Sequence, residues 1–270
     1  VLKLKRGSLI GMIHVRALPG TPNSKVEVAR IAGLAAMEAQ ALAEAGFDAM
    51  LIENMHDAPY VMAPHDPVIV SAMTAAALAV RAAVPDLPLG VQVLARGERE
   101  ALAVALASGA SFIRCENFVF SHVADEGLMI EAAAGPLLRY RRSIGAEDIA
   151  IYADLQKKHA SHAITGDLPI DEHARGAEFS GADGVIVTGQ STGRPASVSD
   201  LELVRAATKL PLLVGSGVDA QSVGDLLRIA DGVIVGSSIK LGGEWINSID
   251  PKRAAALVKS ARAKRKRGSV

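Results

Sequence analysis

The 270-residue sequence predicts an α/β protein, a single (β/α)8 TIM barrel of the phosphate-binding, ribulose-phosphate-barrel-like kind. Three observations carry that expectation. Eight short apolar segments alternate with eight Ala-rich amphipathic ones, and the length suits the ~250 residues that such a barrel needs. The last two apolar segments also end in Gly215-Ser216-Gly217 and Gly236-Ser237-Ser238, where a barrel of this kind holds a phosphate. An open doubly wound sheet is the competing architecture; eight units in one medium-sized chain favour closure.

The strand segments are 9–15, 49–53, 89–93, 111–116, 149–154, 184–188, 212–215 and 232–235. Most are continuously apolar rather than alternating, as parallel strands covered on both faces are. The amphipathic stretches are 28–45, 68–84, 98–108, 131–142, 170–180, 201–208, 220–229 and 251–263, long enough for right-handed crossovers. A short signature recurs at the return to a strand: Ala45-Gly46-Phe47-Asp48, Ser108-Gly109-Ala110, Ser180-Gly181-Ala182-Asp183 and Ala230-Asp231-Gly232. Glycine there ends a helix in the left-handed cap and permits a tight turn. The barrel is expected to occupy residues 1–263 as one domain, followed by a basic, frayed tail at 264–270.

Composition narrows the function classes. Half of the residues are hydrophobic, enough for a large core, and with aromatics at 3% Ala, Val, Leu and Ile must fill it. The 29 basic and 29 acidic residues cancel, so no general attraction to nucleic acid is implied and phosphate recognition has to be local. Cys115 is the single cysteine, which excludes an internal disulfide and favours a reducing compartment. No long uncharged apolar run or secretory leader is read, so the expectation is a cytoplasmic, soluble protein.

The two glycine and serine turns are the clearest functional signal. Small residues let backbone N–H groups approach an anion, and a short helix after them can point its positive end the same way. Gly215, Ser216, Gly217, Gly236, Ser237 and Ser238 are therefore phosphate candidates, joined from the sixth strand by Thr188, Gly189 and Arg194. No GxxxxGK[ST] sequence is present, so this is not a nucleotide P-loop.

Polar residues at the C-terminal ends of the other strands mark the reaction chamber: His14, Glu53, Gln92, Glu116 and Asp154. His14 either transfers a proton near neutral pH or orders the barrel mouth by bonding a loop carbonyl. Asp154 is expected to face it from another strand, as its partner or as a loop acceptor. Glu53, counted with the catalytic candidates, could bind a substrate hydroxyl or a metal, Asn54 is a further ligand-binding candidate that could join it around a divalent cation, and Lys157 could bind an anionic substrate or, in principle, form a Schiff base. Cys115 falls on the opposite side of the wall from Glu116 and reads as packing. His56 and Asp57 beside Glu53, and His159 with His162, lack recognisable zinc or calcium spacing, so no metal is named. No GxGxxG fingerprint signals a nicotinamide or flavin cofactor, and none is expected.

Six ordered blocks resemble the BtpA/SgcQ family: GMIHVRALPGTP at 11–22, DAMLIENMHDAPY at 48–60, ADLQKKHA at 153–160, ADGVIVTGQSTGRP at 182–195, LLVGSGV at 212–218 and ADGVIVGSSIK at 230–240. The resemblance implies a TIM barrel of poorly defined activity. Cyanobacterial relatives are linked to photosystem I biogenesis or stabilisation and look peripheral to the membrane; others accompany sugar uptake and carbohydrate metabolism. His14, Glu53, Asn54, Asp154, Lys157, Thr188 and residues 215–217 match the family motifs. The segments around Gln92 and around Arg114-Cys115-Glu116-Asn117 depart from the usual pattern. The leading expectation is a phosphate-anchored acid/base enzyme acting on a small phosphorylated sugar or ribosyl metabolite by isomerisation, aldol-type cleavage or hydrolysis. The alternative is a non-catalytic photosystem I factor, with peripheral membrane contact to which the basic residues 259–267 would contribute. A homo-oligomer is compatible with either.

Overall fold

The computed structural model describes residues 4–189 and 195–267, with side chains to residue 263. In chain order the elements are β1 (Ser8–His14), α1 (Val28–Ala45), β2 (Ala49–Glu53), α2 (Pro67–Ala83), β3 (Leu89–Gln92), α3 (Glu98–Ser108), β4 (Phe112–Cys115), β5 (His122–Ala124), β6 (Gly127–Met129), α4 (Ala134–Ser143), β7 (Ala150–Leu155), β8 (Ala160–Ser161), α5 (Ile170–Phe179), β9 (Gly184–Val187), α6 (Val198–Ala207), β10 (Leu212–Val214), α7 (Val223–Ile229), β11 (Gly232–Val235) and α8 (Pro251–Arg267). Strands β1-β11-β10-β9-β7-β4-β3-β2 close into a barrel, and every neighbouring pair is parallel. All eight expected barrel strands are present.

Closure places alternate side chains inside. Ile10, Met12, Leu51, Phe112, Tyr152, Ile186, Leu213 and Ile234 belong to one buried cluster within the wall, while the helices cover a second, larger one. Two rings compensate for the scarcity of aromatics. A Cβ on Gly90 would stand 2.2 Å from the Phe112 ring and one on Gly184 2.3 Å from the Tyr152 ring, so each glycine opens the space that a ring fills. The rings meet edge to face with centroids 5.7 Å apart, a favourable aromatic geometry.

The recurrent aspartate signature clamps the opposite, N-terminal end. Asp48, Asp183 and Asp231 accept the backbone N–H of Leu9, Ile151 and Leu212 on adjacent strands at 2.8, 2.8 and 2.9 Å. Each also pairs with an arginine from a helix: Arg262, Arg141 and Arg205. The same device thus fixes three strand junctions and leaves the C-terminal end to the loops.

The boundaries differ from expectation mainly between β4 and α4. Residues 117–133 carry the hairpin β5–β6, and β8 adds antiparallel to β5, making a three-stranded sheet of order β6-β5-β8. Two loops, one after β4 and one after β7, are thereby joined at the barrel mouth. The expected helix at 131–142 starts later, as α4, because the chain first returns from this hairpin. Among the described residues no helix is long and apolar enough to cross a membrane.

Candidate functional site

The C-terminal end of the barrel opens into two adjoining cavities of about 300 and 280 Å3. Glu53, Met55, Arg114 and Lys158 line both and form the waist between them.

The first cavity is the glycine-lined one. Gly215 follows β10, where a Cβ would meet Ile186 Cγ2 at 2.9 Å and Thr188 Cγ2 at 3.0 Å and stand 3.6 Å from Arg114 Nη2. Glycine avoids that clash. Ser216 lines the cavity, is 5% exposed, and its hydroxyl has no hydrogen-bond partner among the described residues. The Thr188 hydroxyl is likewise buried without a partner among them. From the β11 side come Gly236, Ser237 and Ser238, the last two beginning a single 3-10 turn. Ser238 donates its hydroxyl to the Val218 carbonyl at 2.6 Å and so ties the two turns together. Arg253, in the first turn of α8, lines the same cavity and donates through Nε to the Ser238 carbonyl at 3.0 Å. Gly189 is buried next to Thr188, and Arg194 lies outside the described residues.

At the waist, His14 and Glu53 stand side by side at the ends of β1 and β2, with Nε2 3.7 Å from Oε2. His14 Nδ1 lies 2.9 Å from the Trp245 carbonyl, which can only accept, so the proton sits on Nδ1 and Nε2 presents its lone pair. Burial, followed by the charge of Lys240, holds the imidazole well below its ordinary value despite the opposing carbonyl bond. Burial pushes the Glu53 carboxyl up, against the pull of Lys158 and Arg114. A neutral base and a carboxyl inclined to keep its proton are thus adjacent. Such divergent environments suit complementary proton-transfer roles.

Asp154 does not partner His14. Its oxygens accept Nε and Nη2 of Arg114 at 2.9 and 3.0 Å, a buried bidentate pair. Burial lowers the Arg114 pKa, but Asp154 and Glu53 more than offset this and hold the guanidinium charged. Asp154 therefore positions a cation at the waist.

The second cavity lies beside β3, β4 and β7 and is walled by the tip of the hairpin at Asp125 and Glu126. Gln92 points a buried Oε1 with no partner among the described residues. Glu116 accepts Lys157 Nζ at 3.1 Å and the Arg96 backbone N–H at 3.2 Å. Lys157 also lies 3.6 Å from Glu126. These two carboxylates outweigh burial and raise the Lys157 pKa. Asn54 is turned elsewhere: its amide donates to Asp57 and the Leu94 carbonyl and accepts the Leu94 N–H at 2.7 Å, bracing two loops. Cys115 is fully buried in the outer layer and its thiol is pushed up by burial. Among the described residues, no group of three or more His, Cys, Asp or Glu is arranged to hold a metal ion.

Arg114, Lys158, Arg253 and Trp245 are among the lining residues that the sequence reading passes over as site residues. Parity offers a signal for one of them: Arg114 shares the inward register of Phe112 and Glu116, whereas Lys158 lies beyond the end of β7. Arg253 and Trp245 come from beyond the last strand, where no periodicity applies.

The BtpA family profile matches residues 5–263. The chain belongs to the BtpA family. An uncharacterized mitochondrial protein of Caenorhabditis elegans is 45% identical over 96% of this chain and 94% of its own length. The photosystem I biogenesis protein BtpA of Synechocystis is 39% identical over 93% of this chain and 87% of its own. Among solved structures, the thiamine phosphate pyrophosphorylase of Pyrococcus furiosus aligns with a TM-score of 0.59 at 15% identity, covering 96% of this chain and 98% of that one. At that identity the likeness shows the fold alone. This BtpA-family barrel therefore shares its architecture with metabolic enzymes and its family with a photosystem biogenesis protein.

Proposed function

We propose that this BtpA-family protein binds a small phosphorylated metabolite, a sugar or ribosyl phosphate, and carries out acid/base chemistry on it. The observation that carries the reading is Ser216: a buried hydroxyl, unpartnered among the described residues, in a cavity that Gly215 and Gly217 also line. A buried polar group without a partner is costly, and a phosphate oxygen would supply one. Arg253 and Arg114 add positive charge on two sides of that cavity. With the phosphate there, the carbon skeleton would cross the waist and its hydroxyls would meet Gln92 and Glu116. His14 Nε2 would take a proton and Glu53 would give one, which serves isomerisation, aldol-type cleavage or hydrolysis alike.

Native mass spectrometry after incubation with a metabolite extract tests this. A phosphorylated metabolite is expected to be retained by the wild type and lost from Ser216→Ala, with turnover of that metabolite abolished in His14→Ala and Glu53→Gln. Undiminished turnover in both of the latter would remove the acid/base assignment.

The second reading, a non-catalytic factor for photosystem I biogenesis or stabilisation, is favoured by the 39% identity to the Synechocystis protein. The greater identity to a nematode protein weighs toward a broader function, since animals have no photosystems. Complementation separates the two. If this chain and its His14→Ala, Glu53→Gln double variant restored photosystem I equally in a strain lacking that protein, the scaffold role would replace the enzymatic one.

A further inference from the structure

Resting on the phosphate reading above, we propose that Lys158 is an amine nucleophile that forms a Schiff base with an aldehyde or ketone of the phosphorylated substrate. Three lysines are largely buried around the barrel mouth, and their surroundings set them apart. Lys157 is clamped by Glu116 and Glu126. Lys240 is 0% exposed, packed behind the β11 turn with Nζ 3.1 Å from Glu38. Lys157 lines only the second cavity, whereas Lys158 is the one of the three that lines both, at the waist with Glu53 and Arg114. A substrate whose phosphate occupies the glycine-lined cavity and whose remainder enters the second passes its middle carbons over this amine.

An amine attacks only when unprotonated, and burial lowers the Lys158 pKa, with Arg114 adding to the effect and Glu53 opposing it. The neighbouring groups complete the proton inventory. Nζ adds to the carbonyl carbon; the nitrogen passes a proton to His14 Nε2 while the former carbonyl oxygen takes one from Glu53. The carbinolamine then receives the proton back from His14 on that oxygen and expels it as water. What remains is a C=N bond with a positive nitrogen, His14 neutral again and Glu53 ionised beside the new charge. That iminium withdraws electrons from the adjacent C–C or C–H bond, which selects aldol-type cleavage or enolisation over hydrolysis among the reactions the site allows.

The test is borohydride trapping with dihydroxyacetone phosphate and ribose 5-phosphate, read by peptide mass mapping. A reduced adduct on Lys158 is expected, dependent on borohydride, suppressed by excess inorganic phosphate, retained in Lys157→Arg and lost in Lys158→Arg, which removes the nucleophilic amine. Binding is followed separately by the fluorescence of Trp245, the single tryptophan, which lines the second cavity. Saturable binding of either probe without an adduct, or an adduct that survives Lys158→Arg, overturns the Schiff base and leaves the phosphate site standing. No saturable response to either probe or to inorganic phosphate overturns both.

Discussion

Replacing Asp154 by leucine would strand Arg114, whose Nε and Nη2 it now receives at 2.9 and 3.0 Å. The two side chains are 1% and 3% exposed, so little solvent is available to take over the lost pairing. Breaking one half of a buried pair typically costs about 3–5 kcal/mol, because the surviving charge is left uncompensated. Glu53 also attracts Arg114, which places the expectation near the lower end, about 3 kcal/mol. At roughly 2–4 °C per kcal/mol for a domain of comparable size, the melting temperature should fall by about 6–12 °C. Removing both charges in Arg114→Met, Asp154→Leu exchanges the pair for apolar volume and should recover most of that loss. Urea unfolding of the wild type, both single variants and the double variant gives the coupling directly. Additive single effects, to within about 0.5 kcal/mol, would mean that the pair is not a unit and that Asp154 acts separately. The recovered double variant should still fail to retain the ligand, since Arg114 lines both cavities.

Gly215→Ala puts a methyl group 2.9 Å from Ile186 Cγ2 and toward Arg114; phosphate affinity by fluorescence titration should fall at least about tenfold with a stability cost of roughly 1–3 kcal/mol. Glu98 is buried and its carboxyl is pushed up to about 7, so between its unfolded value and pH 7 the native state holds the extra proton and stability falls as pH rises. Glu98→Gln should therefore gain up to about 3 kcal/mol at pH 8 and nothing near pH 4, measured by urea unfolding, whereas an equal gain at both would refute the assignment. His122 and His173 work in the opposite direction: burial lowers each to about 4, so the unfolded chain binds protons first and stability falls as pH drops from 6.5 toward 4. Substituting His173 by leucine should flatten that acid limb in a melting-temperature series from pH 7 to pH 4.5, and an unchanged slope would count against it.

The barrel was legible because its signals are repeated and periodic: eight apolar runs, and an aspartate signature whose clamping of neighbouring strands the structure makes explicit. The hairpin was not, since β5 and β6 have three residues each and β8 two, too few to establish an alternation. Val123-Ala124-Asp125-Glu126-Gly127-Leu128-Met129 does place a polar, glycine-containing turn between apolar pairs. Within the site, the strand-end positions of His14, Glu53, Gln92, Glu116 and Asp154 could be read, but their pairing could not. Asp154 goes to Arg114 rather than His14 because two charges meeting across adjacent strands lie closer than residues across the bore. The choice between Lys157 and Lys158 is blurred for a backbone reason: β7 ends at Leu155, and Gln156 and His159 adopt positive φ of 49° and 55°, so the strand alternation no longer governs their direction.

The small sheet β6-β5-β8 has a consequence for how this protein can diversify. Barrel enzymes usually change specificity by lengthening or shortening one loop while leaving the others alone. Here the loops after β4 and β7 share backbone hydrogen bonds through β5 and β8, and they carry Glu126 and Lys157, which also pair with each other. An insertion in either loop would shift the register of its neighbour and separate that ion pair. The two segments are thus a single evolutionary cassette, to be exchanged together in any chimera between homologues, while the glycine turns across the mouth remain a fixed socket.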